Sequence, residues 1–370
     1  MTDKLYLIPI ALAESPQSEE GETLRLAGGL VHASRFALIV RRDGKVVSRQ
    51  RAMVAEMPGL FDLLAADLAQ QAQAQWTALQ SPRAPLQCGS RTIRLDQPQV
   101  LGILNVTPDS FSDGGVFLDN PEAGAAHAAA MLEAGAAMVD IGGESTRPGA
   151  PAVWEGDELK RVIPAVERAA AMGAAISVDT RRPAVMEAAL AAGAHMINDV
   201  SALRHDPRSL EFVARVAVPV VLMHAPGEGD NLHDGGNYRN VVLEVFDWLA
   251  ARRDAALAAG VRPENIVLDP GIGFGKSLAE NLALLNALPV FHALGHALMV
   301  GASRKRMIGA LGNEAPAHQR LGGSLTLAGK AMDAGVQLLR VHDVAETVQA
   351  VRVWRGLRDA ALTDFSQLAG

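Results

Sequence analysis

From Val100 onward the chain repeats one phrase eight times: a short apolar run, a polar or Gly-rich turn, then an Ala/Leu/Val-rich stretch. The runs are Val100–Val106, Met138–Gly142, Ala174–Asp179, His195–Val200, Val218–His224, Asn265–Asp269, Ala297–Ser303 and Val336–Val341. Runs this short and this apolar are the mark of strands buried on both faces. The stretches between them read as helices. Over Tyr238–Ala259, Val242, Val245, Phe246 and Leu249 recur at i, i+3, i+4 and i+7, while Glu244, Asp247 and Arg252 fall elsewhere on the wheel. Pro183 suits a first helical turn, and Gly193 the end of the same helix. Eight β-then-α units over about 260 residues have the size of a (β/α)8 barrel, and a doubly wound open sheet rarely reaches eight uniform repeats.

Residues 1–95 do not share this rhythm. The chain therefore divides into an N-terminal extension, 1–95, and a barrel, 96–370. Phe36–Val40 and Val46-Val47 flank Arg41-Arg-Asp-Gly-Lys45, the pattern of a hairpin with an Asp-Gly turn. Met57–Leu79 reads as one helix, Ser81–Pro85 and the polar stretch after it as a linker, and Thr92–Leu95 as a short strand able to plug the barrel bottom. The expectation is an α/β protein: a (β/α)8 TIM barrel with a small N-terminal α/β extension that holds nothing catalytic. Deleting 1–95 is expected to spare activity provided the barrel bottom stays covered.

Composition narrows the partners. With 34 basic and 41 acidic residues the net charge is −7, and there is no basic block of the kind a phosphate backbone demands, so nucleic acid is not expected. A small anion is still compatible, because a local pocket can be positive on an acidic protein. No apolar run approaches the roughly 20 residues of a membrane span. Leu5–Ile10 with Ala11-Leu12-Ala13 loosely mimics a signal peptide, but Pro9 interrupts it and only Lys4 precedes it, so a buried strand explains it better. Cys88 is the single cysteine, which excludes a disulfide within the chain and suits a reducing compartment. The expected location is the cytoplasm.

Barrel active sites gather at the C-terminal ends of the strands. Here those ends are polar. They carry Asn105, Asp140, Asp179, Asn198-Asp199, Asp269, Ser303-Arg-Lys305 and Arg340-Val-His342, and only the fifth, at His224, is less telling. A single Asp after a strand is more often a helix cap than a ligand. Seven polar ends in eight need another explanation, since a carboxylate on an apolar strand costs several kcal/mol unless paired. Asp179, Asn198 and Asp269 could read the donors and acceptors of a flat heterocycle. Lys305 and Arg340 could place positive charge over its ring, and Asn105, Arg147, Arg340 and His342 could clamp an anion. Residue types alone do not name the ring.

Two long motifs, Asn105-Val-Thr-Pro-Asp-Ser-Phe-Ser-Asp-Gly-Gly115 and Asp140-Ile-Gly-Gly-Glu-Ser-Thr-Arg-Pro-Gly149, resemble the diagnostic loops of the dihydropteroate synthases. Ser177-Val-Asp179-Thr180, Asn198-Asp-Val-Ser-Ala202, Asp269–Lys276, Ser303-Arg-Lys305 and Arg340-Val-His342 match the same family in order, over about residues 98–360. The resemblance implies condensation of a pterin pyrophosphate with 4-aminobenzoate, with Mg²⁺ as cofactor and a homodimer as assembly. It implies that Asp179, Asn198, Asp269, Lys305 and Arg340 hold the pterin. Asn105, Thr146, Arg147, Arg340 and His342 would hold the pyrophosphate, with Asn105 a partial metal ligand and Asp140 supporting Arg147 from below. Asp113 would sit near the developing cation, and Asp113, Arg147, Lys305, Arg340 and His342 would form the catalytic set. Phe111, Thr146, Pro148, Phe274 and Arg306 would receive 4-aminobenzoate. Because an arylamine is already neutral at pH 7, no strong general base is required.

The chain departs from the family after Met223-His224, where Ala225-Pro226 replaces the common Met-Gln. Two rivals fit less well. A methyltetrahydrofolate-binding barrel of the corrinoid methyltransferases has no use for an anion clamp, and a non-catalytic pterin-binding scaffold leaves the complete motif set unexplained. His127, His292, His296 and His318 are not spaced as a metal site, and Gly271-Ile-Gly-Phe-Gly275 lacks the spacing of a dinucleotide fingerprint.

Overall fold

The computed structural model describes residues 3–14, 21–107, 121–147 and 149–363. Its N-terminal part contains β1 (Lys4–Leu12), β2 (Leu24–Arg25), β3 (His32–Arg42), β4 (Lys45–Met53), α1 (Met57–Asp62), α2 (Ala66–Gln80), β5 (Leu86–Cys88) and β6 (Arg91–Ile93). Then come β7 (Gln99–Asn105), α3 (Pro121–Ala134), β8 (Met138–Gly142), α4 (Glu155–Ala171), β9 (Ile176–Asp179), α5 (Pro183–Ala191), β10 (Met196–Asp199) and α6 (Arg208–Val216). The chain continues through β11 (Val220–Met223), α7 (Val241–Ala258), β12 (Ile266–Asp269), α8 (Leu278–Asn286), β13 (Ala297–Val300), α9 (Arg306–Leu311), α10 (Leu321–Asp333), β14 (Leu338–Val341) and α11 (Val344–Ala361). Strands β7 to β14 pair in parallel and close on themselves, β14 meeting β7, with helices between them. The eight apolar runs are the eight strands of a (β/α)8 barrel.

Side-chain alternation explains why strands so apolar can carry polar chemistry. One face of each strand, including Val139, Ile141, Val178, Ile197 and Leu268, packs outward under the helices. The other face packs inward. Leu101, Met138, Ala175, Met196, Val221, Val267, Met299 and Leu338 form a dry layer closed from below by Leu86, Cys88, Ile93 and Leu95. The plug is the antiparallel hairpin β5–β6. Two residues further up, the same inward face bears Asp140, Ser177, Asn198, Met223, Asp269 and Arg340. Period two alone thus lifts the polar layer above the apolar one.

In the extension, β3 pairs β1 on one side and β4 and β2 on the other. Asp43 and Gly44 join β3 to β4 with φ of 48° and 79°, the left-handed pair that a two-residue hairpin needs. The single helix expected over Met57–Leu79 is two, broken at Leu63-Leu64-Ala65. The break brings Phe61 to 5.9 Å from Trp76, residues that one straight helix would hold about 22 Å apart. Trp76 also meets Phe36 at 5.1 Å. Helix α2 then lies along the edge of β1. Gln71 accepts from Leu5 N at 3.0 Å and donates to Asp3 O at 3.1 Å, while Gln75 accepts from Leu7 N at 2.8 Å and donates to Leu5 O at 2.6 Å. That edge is covered rather than left as a template for pairing.

The extension is packed against the barrel. Tyr6 Oη donates to the Asp247 carboxylate at 3.1 Å, and Arg358 Nε donates to Leu30 O at 3.2 Å. The stretch read as a linker contains buried Arg83, which donates to the carbonyls of Ala78, Ser81, His292 and His296 at 2.8–3.1 Å. One apolar cluster runs without a break from Leu5, Phe36 and Met57 to Phe246 and Phe291.

Candidate active site

Arg340, at the end of β14, organises the polar layer. Its Nε donates to Asp140 Oδ2 at 2.6 Å and its Nη2 to Asp179 Oδ2 at 2.7 Å. Asn198 Nδ2 donates to the same Asp140 oxygen at 3.3 Å. Four residues from four strands thereby meet over the apolar plug. Asp140 was expected beneath Arg147; its described contacts are to Arg340 and Asn198. The other Asp140 oxygen, Oδ1, is buried with no hydrogen-bond partner among the described residues.

Burial sets the protonation of this group. It drives the Asp179 carboxyl up to about 7 against the pull of Arg340, with the Asp140 charge adding to the rise. Asp269, whose Oδ1 accepts from Gly271 N at 2.7 Å, is also raised by burial, opposed by Lys305. Burial lowers Lys305 to about 8 while Asp269 works against the change. Arg340 is desolvated too, yet Asp140 and Asp179 hold it firmly charged. Lys305 Nζ donates to Ile272 O and stands 4.7 Å from the centre of the Phe274 ring.

The rim follows from the next inward positions. Asn105 ends β7, half-buried and in register with Gly142. His342 Nδ1 lies 3.1 Å from Ser303 Oγ, and burial, reinforced by Arg340, Arg304, Arg147 and Lys305, depresses the imidazole to about 3. The ring is therefore neutral at pH 7, and a polyanion arriving among those cations would raise its pKa again. Thr146 is half-buried and Arg147 exposed on the loop after β8; Arg306 is exposed in the first turn of α9. Phe111, Asp113 and Pro148 lie outside the described residues.

Some site residues were not anticipated. Glu144 accepts from Arg181 Nε at 2.9 Å and from Arg182 Nη2 at 2.9 Å. Its burial would raise its pKa, but the two guanidinium groups hold it at about 2. Arg182 also pairs with Glu158, a fully buried residue of α4 whose carboxylate accepts from Thr180 Oγ1 at 2.6 Å. This network pins the loop after β8 to the loop after β9. Lys276, lowered by burial to about 7, donates to the carbonyls of Gly271 and Phe274 and reaches His224 Nδ1 at 2.9 Å. The adjacent arginines after Asp179 were a visible signal. A buried Glu in an amphipathic helix gives none.

What can this arrangement do? A planar ring placed over the dry layer would find carboxylates, an amide and two cations around its edge, with an anion-tolerant rim above. Comparison with known proteins gives the same chemistry a family. The pterin binding enzyme family matches residues 101–342. The dihydropteroate synthase of Neisseria meningitidis serogroup B is 46% identical over 276 residues, spanning 73% of this chain and 96% of that protein. The dihydropteroate synthase of Escherichia coli K12 is 46% identical over 263 residues, spanning 71% of this chain and 92% of that one. Among solved structures, Xanthomonas albilineans dihydropteroate synthase with 4-aminobenzoic acid is 50% identical, with a TM-score of 0.70 and coverage of 75% and 98%. The same enzyme in complex with 7,8-dihydropteroate aligns with a TM-score of 0.67 at 47% identity, covering 74% and 98%.

Proposed function

The chain belongs to the dihydropteroate synthases, a group of pterin binding enzymes, and from that premise we propose how its residues divide the reaction. The protein is a transferase. It joins 6-hydroxymethyl-7,8-dihydropterin pyrophosphate to 4-aminobenzoate, giving 7,8-dihydropteroate and pyrophosphate. The bond from the pterin methylene to oxygen breaks and its electron pair leaves with pyrophosphate. The amine nitrogen forms the new bond to carbon and then loses a proton.

The observation that carries our assignment of roles is the Arg340–Asp140–Asp179–Asn198 cluster seated over a dry floor. We assign the pterin edge to Asp179, Asn198 and Asp269, with Lys305 and Arg340 over the ring. A pterin that donates to Asp179 competes with Arg340 for that carboxylate, freeing the guanidinium for the ring face or the pyrophosphate. Buried groups that lose their partner when an analogue lacks an amino group give strong discrimination. Thr146, Arg147, His342 and Asn105 are assigned to the pyrophosphate, where fixed donors stabilise charge as it develops. The exposed Arg147 makes the outer edge of that clamp. Phe274, Thr146 and Arg306, with Phe111 and Pro148, are assigned to 4-aminobenzoate, and Asp113 to the developing cation.

Mg²⁺ belongs to this reading. Among the described residues no cluster of three or more His, Cys, Asp or Glu could hold a metal ion, and Asn105 offers one amide oxygen. Such a sparse donor set suits Mg²⁺, which keeps waters and takes phosphate oxygens. When bound it would neutralise charge on the leaving group. We also assign 1–95 to an extension and 96–370 to the pterin-binding barrel. A homodimer through α10 and α11 is supported by Val353 and Leu357, exposed one turn apart. Among the described residues no helix is long and apolar enough to cross a membrane. A cytoplasmic location remains part of the proposal, supported by a sequence whose single cysteine, Cys88, is free and buried.

The test is pyrophosphate release by purified protein. Release should require pterin pyrophosphate, 4-aminobenzoate and Mg²⁺ together. Lys305→Ala and Arg340→Ala should each lower kcat/KM by at least about a hundredfold, some 3 kcal/mol of lost stabilisation. Near-normal rates in either variant would sink the assignment of roles.

A further inference from the structure

Between β11 and α7 runs a segment rich in Gly, Asn and Asp that no motif claims. It carries His233. The imidazole is stacked on Phe274, ring centroids 5.0 Å apart and planes 9° from parallel. Gly275 N donates to its Nδ1 at 3.3 Å, and its Nε2 lies 2.8 Å from the carbonyl oxygen of Thr146. An amide N–H only donates and a carbonyl oxygen only accepts. The neutral tautomer with its proton on Nε2 is therefore the one form that satisfies both.

One ring thus joins three segments: its own, the loop after β8 and the loop after β12. Lys276 also holds the last of these, donating to Gly271 O at 2.8 Å and Phe274 O at 3.0 Å. Protonation of His233 would set an N–H against the Gly275 N–H. It would also place a second cation against the ring that already carries Lys305 Nζ at 4.7 Å. Burial opposes that charge first, joined by Lys305 and Lys276; the Thr146 carbonyl and Asp234 favour it.

Resting on the assignment of Thr146 and Phe274 to the second substrate, we propose that His233 is a positioning residue for 4-aminobenzoate. As a neutral strut it fixes the separation of the two walls between which the aromatic ring enters. It touches no reacting atom, so its effect belongs in the binding of the amine substrate and not in the chemical step.

The experiment measures steady-state pyrophosphate release by the full-length protein, His233→Ala and His233→Gln, varying each substrate in turn between about pH 5 and 8. His233→Ala should raise KM for 4-aminobenzoate about tenfold, with kcat changed less than about twofold and KM for the pterin substrate raised much less, through Thr146 alone. Gln can accept from Gly275 and donate to Thr146 but does not titrate. His233→Gln should therefore restore KM near neutral pH and give a smaller rise in KM than the wild type as pH falls below the ordinary imidazole range. The substrate's own carboxylate titrates identically in all three proteins. An unchanged KM in His233→Ala, equal losses in kcat and both KM values, or a pH rise in His233→Gln as large as that of the wild type overturns this inference alone. A wild type that releases no pyrophosphate overturns the activity assignment and this inference with it.

Discussion

Asp179 shows what one buried carboxyl does to the protein that holds it. Its folded pKa, about 7, lies above the ordinary value of 3.8, because burial penalises the ionised form more than Arg340 rewards it. Between roughly pH 4 and 7 the folded protein keeps a proton that the unfolded chain has released. Stability therefore falls as pH rises through that window and is greatest at its acid end, as far as this group is concerned. Urea midpoints measured across the window should slope accordingly, and Asp179→Asn should flatten the slope. An unaltered slope would mean that another group of the cluster carries the proton. The neutrality of His342 follows the same logic with the sign reversed, for there the desolvated form is the cation.

At the scale of elements, α2 and the β5–β6 hairpin make opposite kinds of closure. Gln71 and Gln75 are four residues apart on a helix, about 6 Å of rise, and two strand residues span nearly the same length. Their amides therefore stand in for a neighbouring strand. Gln75→Leu removes the partners of Leu5 O and Leu7 N, both on residues with almost no exposure, and should cost about 1–3 kcal/mol in a denaturant melt. A cost near zero would show that water replaces the amide. The hairpin instead closes by apolar contact. Leu86, Ile93 and Leu95 each bury about 1.5–3 kcal/mol of side chain, together on the order of a small domain's whole net stability. Deleting 1–95 takes the plug away and should leave an unfolded or aggregated barrel. Deleting 1–80 keeps Arg83 and the hairpin and should leave a folded enzyme with a lowered Tm. Equal behaviour of the two truncations, read by melting and by pyrophosphate release, would contradict this division.

Across the whole molecule, what was legible was periodic and what was not was a matter of third dimensions. Eight apolar runs gave the barrel because strands covered on both faces have no other composition open to them. Their polar ends disclosed the site, since Asp140, Asp179, Asn198 and Arg340 make no sense on such strands unless they meet. Which of them pair could not be read: Asp140 lies under Arg340, 200 positions away, and nothing local to either residue says so. The helix break at Leu63 was hidden because its cause, the contact of Phe61 with Trp76, is tertiary. His233 and Lys276 were hidden because loop segments without period carry no sign of their partners. The ring itself imposes an order in time. Strand β14 closes on β7, so the first barrel strand to leave the ribosome waits for the last, and contacts between such distant positions form slowly. Until then β7 has one flank without a neighbour, and nascent chains stalled before Leu338 should be the species most in need of a chaperone.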